Sequence, residues 1–468
     1  MRSLNIQKLS LKGYRCFETI DIDFDERLTV LVASNGAGKT AILDGIAVAL
    51  GPYIGAFDEG VGHHFGPSDI RLSRVRETAS NEMEYTPGGI QLEATGWIPG
   101  GLMEQLGTES LSIWRRSLAG PTKAKTTIRD AKELIAYGKR MQTAVRTQDS
   151  TVLLPLVAYY GTGRLWQHKK LTDGKLPKTS RTTGYSDCLD PASSYKAFVA
   201  WFRYWNMNAL KAELDMHKAQ RVPEKTEFHG YIESVSRAVN ICLEPSGWKD
   251  IAYSLAREEL VAHHDEHGEL PVELLSDGIR NMIGMVADIA FRATKLNPHL
   301  GGDAARETPG IALIDEVDMH LHPSWQQVVL QSLLRAFPRV QFIVTTHSPQ
   351  VLSTVPSRSI RILSTRWNEE LEKYQPVATE PELQTEGIPS ADVLALAMGT
   401  DPTPNVESAR QLSEYKALIQ QDLQDSTDAQ ALRQRLSTHF GTSHPVLLEC
   451  DRLMRLQSLK RKLSPRRS

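Results

Sequence analysis

The stretch Val30–Thr40, VLVASNGAGKT, limits what this chain can become more than any other. Leu28, Val30, Leu31 and Val32 make an apolar, β-branched run that predicts a buried strand. Ser34-Asn35-Gly36-Ala37-Gly38-Lys39-Thr40 breaks it, and Ala41–Leu50 resumes as a helix. Strand, glycine-rich loop and helix, in that order, are what a phosphate-binding loop requires. Gly36 and Gly38 lack a Cβ, so backbone N–H groups can converge on phosphate oxygens. The helix N-terminus adds partial positive charge. Lys39 is placed to reach β- and γ-phosphates, and the Thr40 hydroxyl to ligate Mg²⁺. Ala33 stands where the usual pattern opens with glycine, a mild departure.

Three later motifs complete this chemistry. Ile311-Ala312-Leu313-Ile314-Asp315-Glu316 is an apolar strand ending in paired carboxylates. Asp315 is placed to hold Mg²⁺ through water and Glu316 to polarise an attacking water. Phe342-Ile343-Val344-Thr345-Thr346-His347 is a second such strand, whose His347 can sense loss of the γ-phosphate. Either strand alone is a weak signal, since a histidine at a strand end is more often structural. Leu275-Ser276-Asp277-Gly278-Ile279-Arg280 opens a helix with Ser276 as N-cap. Its apolar face follows Ile279, Met282, Ile283, Val286 and Ala290. Beyond capping, Ser276 and the helix N-terminus can face the γ-phosphate of ATP bound to a second subunit.

The remainder sets bounds. At 468 residues the chain has room for two to four domains, and a net charge of −2 points to no global affinity for nucleic acid. Four scattered cysteines without a Cys-x-x-Cys argue against a zinc ribbon and suggest reduced thiols. No apolar run reaches the roughly 18 residues of a membrane helix, and MRSLNIQKLSLKGYRCF alternates as a strand rather than as a signal peptide. The expectation is a cytoplasmic protein. Strands are expected at Leu4–Leu11, Ile20–Phe24, Ile90–Ile98, Leu111–Ser117 and Val152–Tyr160, and helices at Asp130–Ala144, Ala192–His217 and Glu227–Leu243. The stripe Phe198, Trp201, Phe202, Tyr204 and Trp205 reads as core rather than as a base-stacking platform. His264-Asp265-Glu266-His267-Gly268 reads as a polar turn rather than a metal site. The basic stretch His168–Thr183 reads as an exposed loop.

Order and combination carry the specificity. A Lys-Thr loop, a Ser-Gly helix start, Asp-Glu on a strand and His on a strand resemble the ABC/SMC-type ATPase head. That resemblance implies two subunits sandwiching two ATP molecules. Asp315-Glu316-Val317-Asp318-Met319-His320-Leu321-His322-Pro323 is similar to the AAA-type branch found in overcoming-lysogenization-defect nucleases and bacterial defence ATPases. Carried over, Asp318 and His320–His322 form a loop crossing the dimer interface. Arg15 matches an early arginine near the nucleotide, Asn35 the loop asparagine, and Gly278 the signature glycine beside Ser276. Leu154–Trp166, Cys188–Pro191 and Pro389–Leu394 resemble the PtuA family of Septu and certain retron systems. This implies a PtuB-like HNH nuclease as partner and, in retrons, a reverse transcriptase with its DNA–RNA hybrid (msDNA).

The expected fold is α/β: an ABC-type P-loop ATPase head, a mixed β-sheet flanked by helices, with an inserted mainly helical subdomain and a helical C-terminal extension. Expected limits are 1–120 for the N-terminal lobe, 121–264 for the insertion, 265–378 for the C-terminal lobe and 379–468 for the extension. Thr379–Thr403, rich in Pro, Gly and Thr, reads as an excursion from the core, and Asn405–Phe440 and Pro445–Leu463 as helices. Arg455–Ser468 holds six Lys/Arg and no acid, a solvated tail or a contact for nucleic acid or an acidic partner. No Asp-x-Asp nuclease constellation appears in this C-terminal region, so no nuclease activity is assigned. The expectation is an ATPase using ATP and Mg²⁺ that gates a separate effector in antiphage defence. A DNA-repair ATPase would carry a long coiled-coil insertion, which Gly51–Leu270 lacks. The other rival is a scaffold that binds ATP without turning it over.

Overall fold

The structure is a computed structural model that describes residues 3–74, 83–100, 111–122, 124–163, 180–191, 196–220 and 225–463. Most of the basic stretch 168–183, the motif residues Arg164 and Trp166, and the last five residues of the tail lie outside these.

Strands and the longer helices are numbered here along the chain. Strands β1 (Lys8–Tyr14) and β2 (Phe17–Asp23) form a tight hairpin in which Tyr14 opposes Phe17. Strand β1 lies later and β2 earlier than the sequence pattern suggested, because burying both of these rings tightens the turn to Arg15-Cys16. Arg15 there takes the left-handed φ of 47°. Strand β3 (Leu28–Val32) is wholly buried and leads into α1 (Lys39–Ile54). A small surface ribbon follows, β4 (Leu72–Arg74) with β5 (Met83–Tyr85). Then β6 (Ile90–Gly96) and β7 (Ser112–Leu118) complete an antiparallel sheet of order β2-β1-β6-β7. Alternating buried and exposed residues show it to be covered on one face.

Helix α2 (Lys132–Arg146) precedes β8 (Leu156–Tyr160), then α3 (Lys196–Lys218) and α4 (Glu227–Leu243). The aromatic stripe of α3 is core: Phe198 and Phe202 are fully buried, and Trp205 packs on Phe291. Strands β9 (Trp248–Ser254), β10 (Glu259–His264) and β11 (Gly268–Pro271) make a three-stranded antiparallel sheet. The histidine cluster is the β10–β11 turn, where His264 Nδ1 accepts from the Glu266 N–H at 3.1 Å. Among the described residues, no group of three or more metal-ligating side chains could hold an ion.

Helix α5 (Asp277–Leu296) leads to β12 (Gly310–Ile314), α6 (Val329–Ala336), β13 (Val340–Thr345), β14 (Ile360–Asn368) and β15 (Lys373–Thr379). The main sheet has the order β15-β14-β3-β13-β12-β8. All its neighbours are parallel except the β14–β15 pair. Parallel strands buried on both faces read as unbroken apolar runs, which is why β3, β12 and β13 were visible in sequence. Two things were not. Strand β8, inside the region expected as an insertion, is an edge of the main sheet. Strand β15 extends the other edge, because Trp367 pairs across to Tyr374 and continues β14 past Leu363.

The chain divides into two compact units, Met1–Met398 and Gly399–Ser468. This division lies later than the expected limit at residue 379. Val393 and Ala397, on and just after the short helix Ser390–Leu396, are buried in the core of the first unit. The Thr385 hydroxyl donates to the Val355 carbonyl at 2.7 Å. The second unit comprises α7 (Glu407–Gln420), α8 (Thr427–Phe440) and α9 (Pro445–Leu463). They close on a core of their own, built by Tyr415, Ile419, Leu432, Leu436 and Leu447. The single helical stretch expected over 405–440 is broken at Asp422, whose φ of 62° ends α7, and Ser426 caps α8.

Candidate active site

Between β3 and α1 the chain turns through Gly36 and Gly38 at φ 80° and 96°. A Cβ on Gly38 would lie 2.3 Å from the Phe17 ring and 2.6 Å from Cys16 Sγ, so the β1–β2 turn demands glycine there. Lys39 is buried, and its ammonium donates to the carbonyls of Ala33 (3.1 Å) and Ser34 (3.4 Å), folded over its own loop. Burial lowers the Lys39 pKa, while Asp315 and Glu316 oppose that shift. Two neutral carbonyls are weak partners for a buried ammonium, and an anion seated in the loop answers it better. The loop therefore fits a phosphate. Ser34, Asn35 and Gly36 are exposed and Ala37 half-buried along its rim.

The ends of β12 and β13 meet this loop. Thr40 Oγ1 donates to Asp315 Oδ2 at 2.7 Å, and Thr345 Oγ1 donates to Asp315 Oδ1 at 2.6 Å. The Glu316 N–H donates back to Thr345 Oγ1 at 2.8 Å. Asp315 is 2% exposed. A buried carboxylate sharing a hydroxyl with the phosphate loop is the donor set that a hard divalent cation takes. Glu316 has the left-handed φ of 49°, a strained conformation for a residue with a side chain, and is half-buried at the strand end. His347 follows Thr346 and is half-buried. Thr346 Oγ1 bonds to Asp318, which ties the loop after Glu316 to the loop bearing His347.

Arg15 enters from the β1–β2 turn and pairs with Asp44 of α1 and, at 2.8 Å, with Asp69. Burial would lower its pKa, but Tyr14, Asp44 and Asp69 outweigh burial and raise it. Asp44 in turn accepts from the Tyr159 hydroxyl at 2.7 Å. Sequence reading missed Asp44, Asp69, Tyr159 and Thr345 because their partners are distant in sequence. Only their placement within or beside the chemical motifs hinted at them.

Ser276 and Gly278 form a second cluster. Ser276 is the N-cap residue of α5 by backbone geometry, yet its hydroxyl makes no capping hydrogen bond and it is exposed. A Cβ on Gly278 would sit 2.4 Å from the His320 carbonyl oxygen. The α5 N-terminus and the loop after Glu316 are thus pressed together, with His320 exposed at φ 62°. His322 is exposed and caps the short helix Pro323–Gln326, its Nδ1 accepting from the Ser324 N–H. Thr40, Asp315, Glu316 and Thr345 share one hydrogen-bonded cluster, and the charges of Asp315 and Glu316 act on the Lys39 ammonium.

A parallel sheet with the phosphate loop after β3, Asp-Glu at the end of β12 and histidine after β13 is the α/β arrangement of a P-loop ATPase. Family comparison agrees: an AAA domain matches residues 8–221. A second AAA domain, whose description cites the AbiEii toxin of a type IV TA system, matches residues 209–353. The chain is 25% identical over 499 residues to the Retron Ec83 probable ATPase of Escherichia coli, covering 95% of this chain and 86% of that protein. It is 25% identical over 489 residues to the Retron Vc95 probable ATPase of Vibrio cholerae serotype O1 biovar El Tor, covering 93% and 88%. It is 22% identical over 427 residues to the Septu protein PtuA of Bacillus thuringiensis, covering 90% of each. The chain resembles these ATPases of bacterial defence systems over nearly its whole length.

Proposed function

We propose that the chain binds ATP with Mg²⁺, closes head to head with a second copy, hydrolyses ATP and regulates a partner HNH nuclease of the PtuB type in antiphage defence. In a retron setting, a reverse transcriptase and its DNA–RNA hybrid (msDNA) join the assembly. Among the described residues no helix is long and apolar enough to cross a membrane, which suits a cytoplasmic assembly.

In this reading Asn35–Thr40 and Lys39 hold the triphosphate, and Arg15 lies beside it. Thr40 and Asp315 hold Mg²⁺, which when bound neutralises phosphate charge. Glu316 orients a water and draws its proton, and His347 reads the γ-phosphate position. Ser276, Gly278 and the α5 N-terminus meet the nucleotide of the second copy, with Asp318 and His320–His322 at the joint.

The observation that carries this reading is the exposed Ser276 hydroxyl, which leaves its own helix uncapped. A residue whose whole role was to cap would bond its N2 or N3 amide. The test mixes Ser276→Arg with Lys39→Ala subunits, each inactive alone. A mixed dimer rebuilds one composite site, so partial recovery of ATP turnover supports the two-copy reading. No recovery, with ATP-dependent association normal in Ser276→Arg alone, overturns it. A wild-type chain that associates with ATP but never turns it over favours the scaffold.

A further inference from the structure

Two consecutive tyrosines on β8 reach α1, α5 and the backbone of Asp315. Adjacent strand residues point to opposite faces of a sheet, and here the faces hold different machinery. The Tyr159 hydroxyl donates to Asp44 Oδ1 of α1 at 2.7 Å, and Asp44 pairs with Arg15 beside the phosphate loop. The Tyr160 hydroxyl donates to Asp288 Oδ2 of α5 at 2.7 Å. Arg292, one turn further along α5, donates to the same oxygen at 2.7 Å and to the carbonyls of Gly184 and Ser186 at 2.9 Å. The Tyr160 carbonyl accepts from the Asp315 N–H at 2.8 Å, anchoring the carboxylate proposed to hold the metal. Both tyrosines are at most 2% exposed, as is Asp288, and Arg292 is 3% exposed.

A buried pair of charges is costly unless every lone pair is answered. Among the described residues, Asp288 Oδ1 is buried without a hydrogen-bond partner. The Asp288 carboxylate is therefore answered on one oxygen only, by Tyr160 and Arg292, a poise that a small shift of β8 can upset. Strand β8 is an outer member of the main sheet, in register with β12 from Leu156–Gly310 to Tyr160–Ile314. A displacement at Asp315 or Asp44 is thus delivered to α5 through two side chains on one backbone.

We propose that Tyr159 and Tyr160 are positioning residues forming a relay, by which the loading of the phosphate loop sets the orientation of α5 and hence of Ser276. This deepens the two-copy reading and rests on it for its consequence, though not for its test. Two hydroxyls acting only as local braces on opposite faces would give additive losses when removed. A relay gives coupled losses.

The experiment uses the full chain with ATP and Mg²⁺, and the variants Tyr159→Phe, Tyr160→Phe and the double variant. Nucleotide affinity, thermal stability without nucleotide, amide hydrogen exchange of residues 272–283 at saturating ATP, and ATP-dependent sedimentation are measured. Exchange is read at a concentration where the chain is monomeric. Tyr160→Phe should bind ATP within about twofold of wild type, yet lose the ATP-induced exchange response and associate about tenfold more weakly, the scale of one hydrogen bond to a charged group. The double variant should be little worse than the weaker single. A wild-type exchange response in Tyr160→Phe, or strict additivity of the association losses, overturns the relay. Should Tyr160→Phe fail to fold, Asp288→Asn, which weakens the Tyr160 bond by removing the acceptor's charge, is read in the same assays, where a lost exchange response supports the relay and a wild-type response overturns it. Wild-type protein that shows the exchange response but never associates would remove the two-copy reading and leave the relay standing. Wild-type protein without the exchange response overturns the relay itself.

Discussion

Lys39 and Glu316 are each held in an arrangement that is costly without a ligand, and this makes them the sharpest tests of the nucleotide reading. Lys39 is buried against two carbonyls, so Lys39→Ala should remove a buried ammonium and the loop's charge on a triphosphate together. ATP affinity in an equilibrium titration should then fall by at least about tenfold, since charge-assisted hydrogen bonds are worth roughly 1.5–3 kcal/mol. Unchanged affinity removes the loop from the site. Glu316→Gln keeps the shape and loses the base. ATP should bind, turnover should drop by roughly 10²- to 10⁴-fold, and the closed dimer should accumulate in sedimentation. A second lysine tests electrostatics outside the site. Burial lowers the Lys295 pKa to about 8, while its ammonium lies 3.4 Å from the centre of the Trp201 ring, a contact that favours the charged form. The unfolded chain holds the proton to about pH 10. Between these values the unfolded state binds more protons, so this residue makes stability rise with pH over that window and gives a constant cost below it. Melting of wild type against Lys295→Met at pH 7 to 10 should show the gap between them narrowing as pH rises. A gap that stays constant would mean that the Trp201 ring keeps the lysine charged throughout.

The elements legible in sequence were those whose pattern is set by burial alone. Strands β3, β12 and β13 lie inside a parallel sheet and read as apolar runs, and Lys39, Thr40, Asp315 and His347 fall at or just beyond their C-terminal ends. What was not legible depends on pairing. The Trp367–Tyr374 register that makes β15, the membership of β8 in the main sheet and the Asp44–Tyr159 bond are choices among distant partners. The contact of Gly278 with His320 is of this kind, since a glycine in a helix start carries no sign of what passes over it. It gives a test at the scale of the element. A Cβ at 2.4 Å from the His320 carbonyl cannot be absorbed by a flexible side chain, because the obstacle is backbone. Gly278→Ala should cost about 1–3 kcal/mol in a denaturant titration. It should also displace the loop 318–322, leaving nucleotide affinity near wild type while ATP-dependent association fails. Association equal to wild type would mean that this loop plays no part at the joint.

At the scale of the whole molecule, the boundary between the two compact units decides what can be removed without harm. Residues 379–403 read as an excursion because their Pro, Gly and Thr content signals loop, and composition carries no information about where a loop returns. In the fold it returns to the head. Val393 and Ala397 enter the head's core, Gly387 donates its N–H to the Ser353 carbonyl at 2.9 Å, and Thr385 bonds to Val355. Among the described residues, the helices beyond Gly399 close on seven buried residues of their own. Two truncations separate these roles. A chain ending at Met398 keeps every one of those head contacts, so it should melt within a few degrees of the full chain's head transition and bind ATP with unchanged affinity. A chain ending at Gln375, inside β15, would confound sheet and excursion, so the informative second cut is after Thr379, the last residue of β15. That chain loses the burial of Val393 together with the Thr385 and Gly387 hydrogen bonds, at about 3 kcal/mol in all. For a head of this size the loss should lower its melting midpoint by several degrees. Equal midpoints for the two truncations would show that residues 380–398 are a tether, and would place the head's true end at the edge of its sheet.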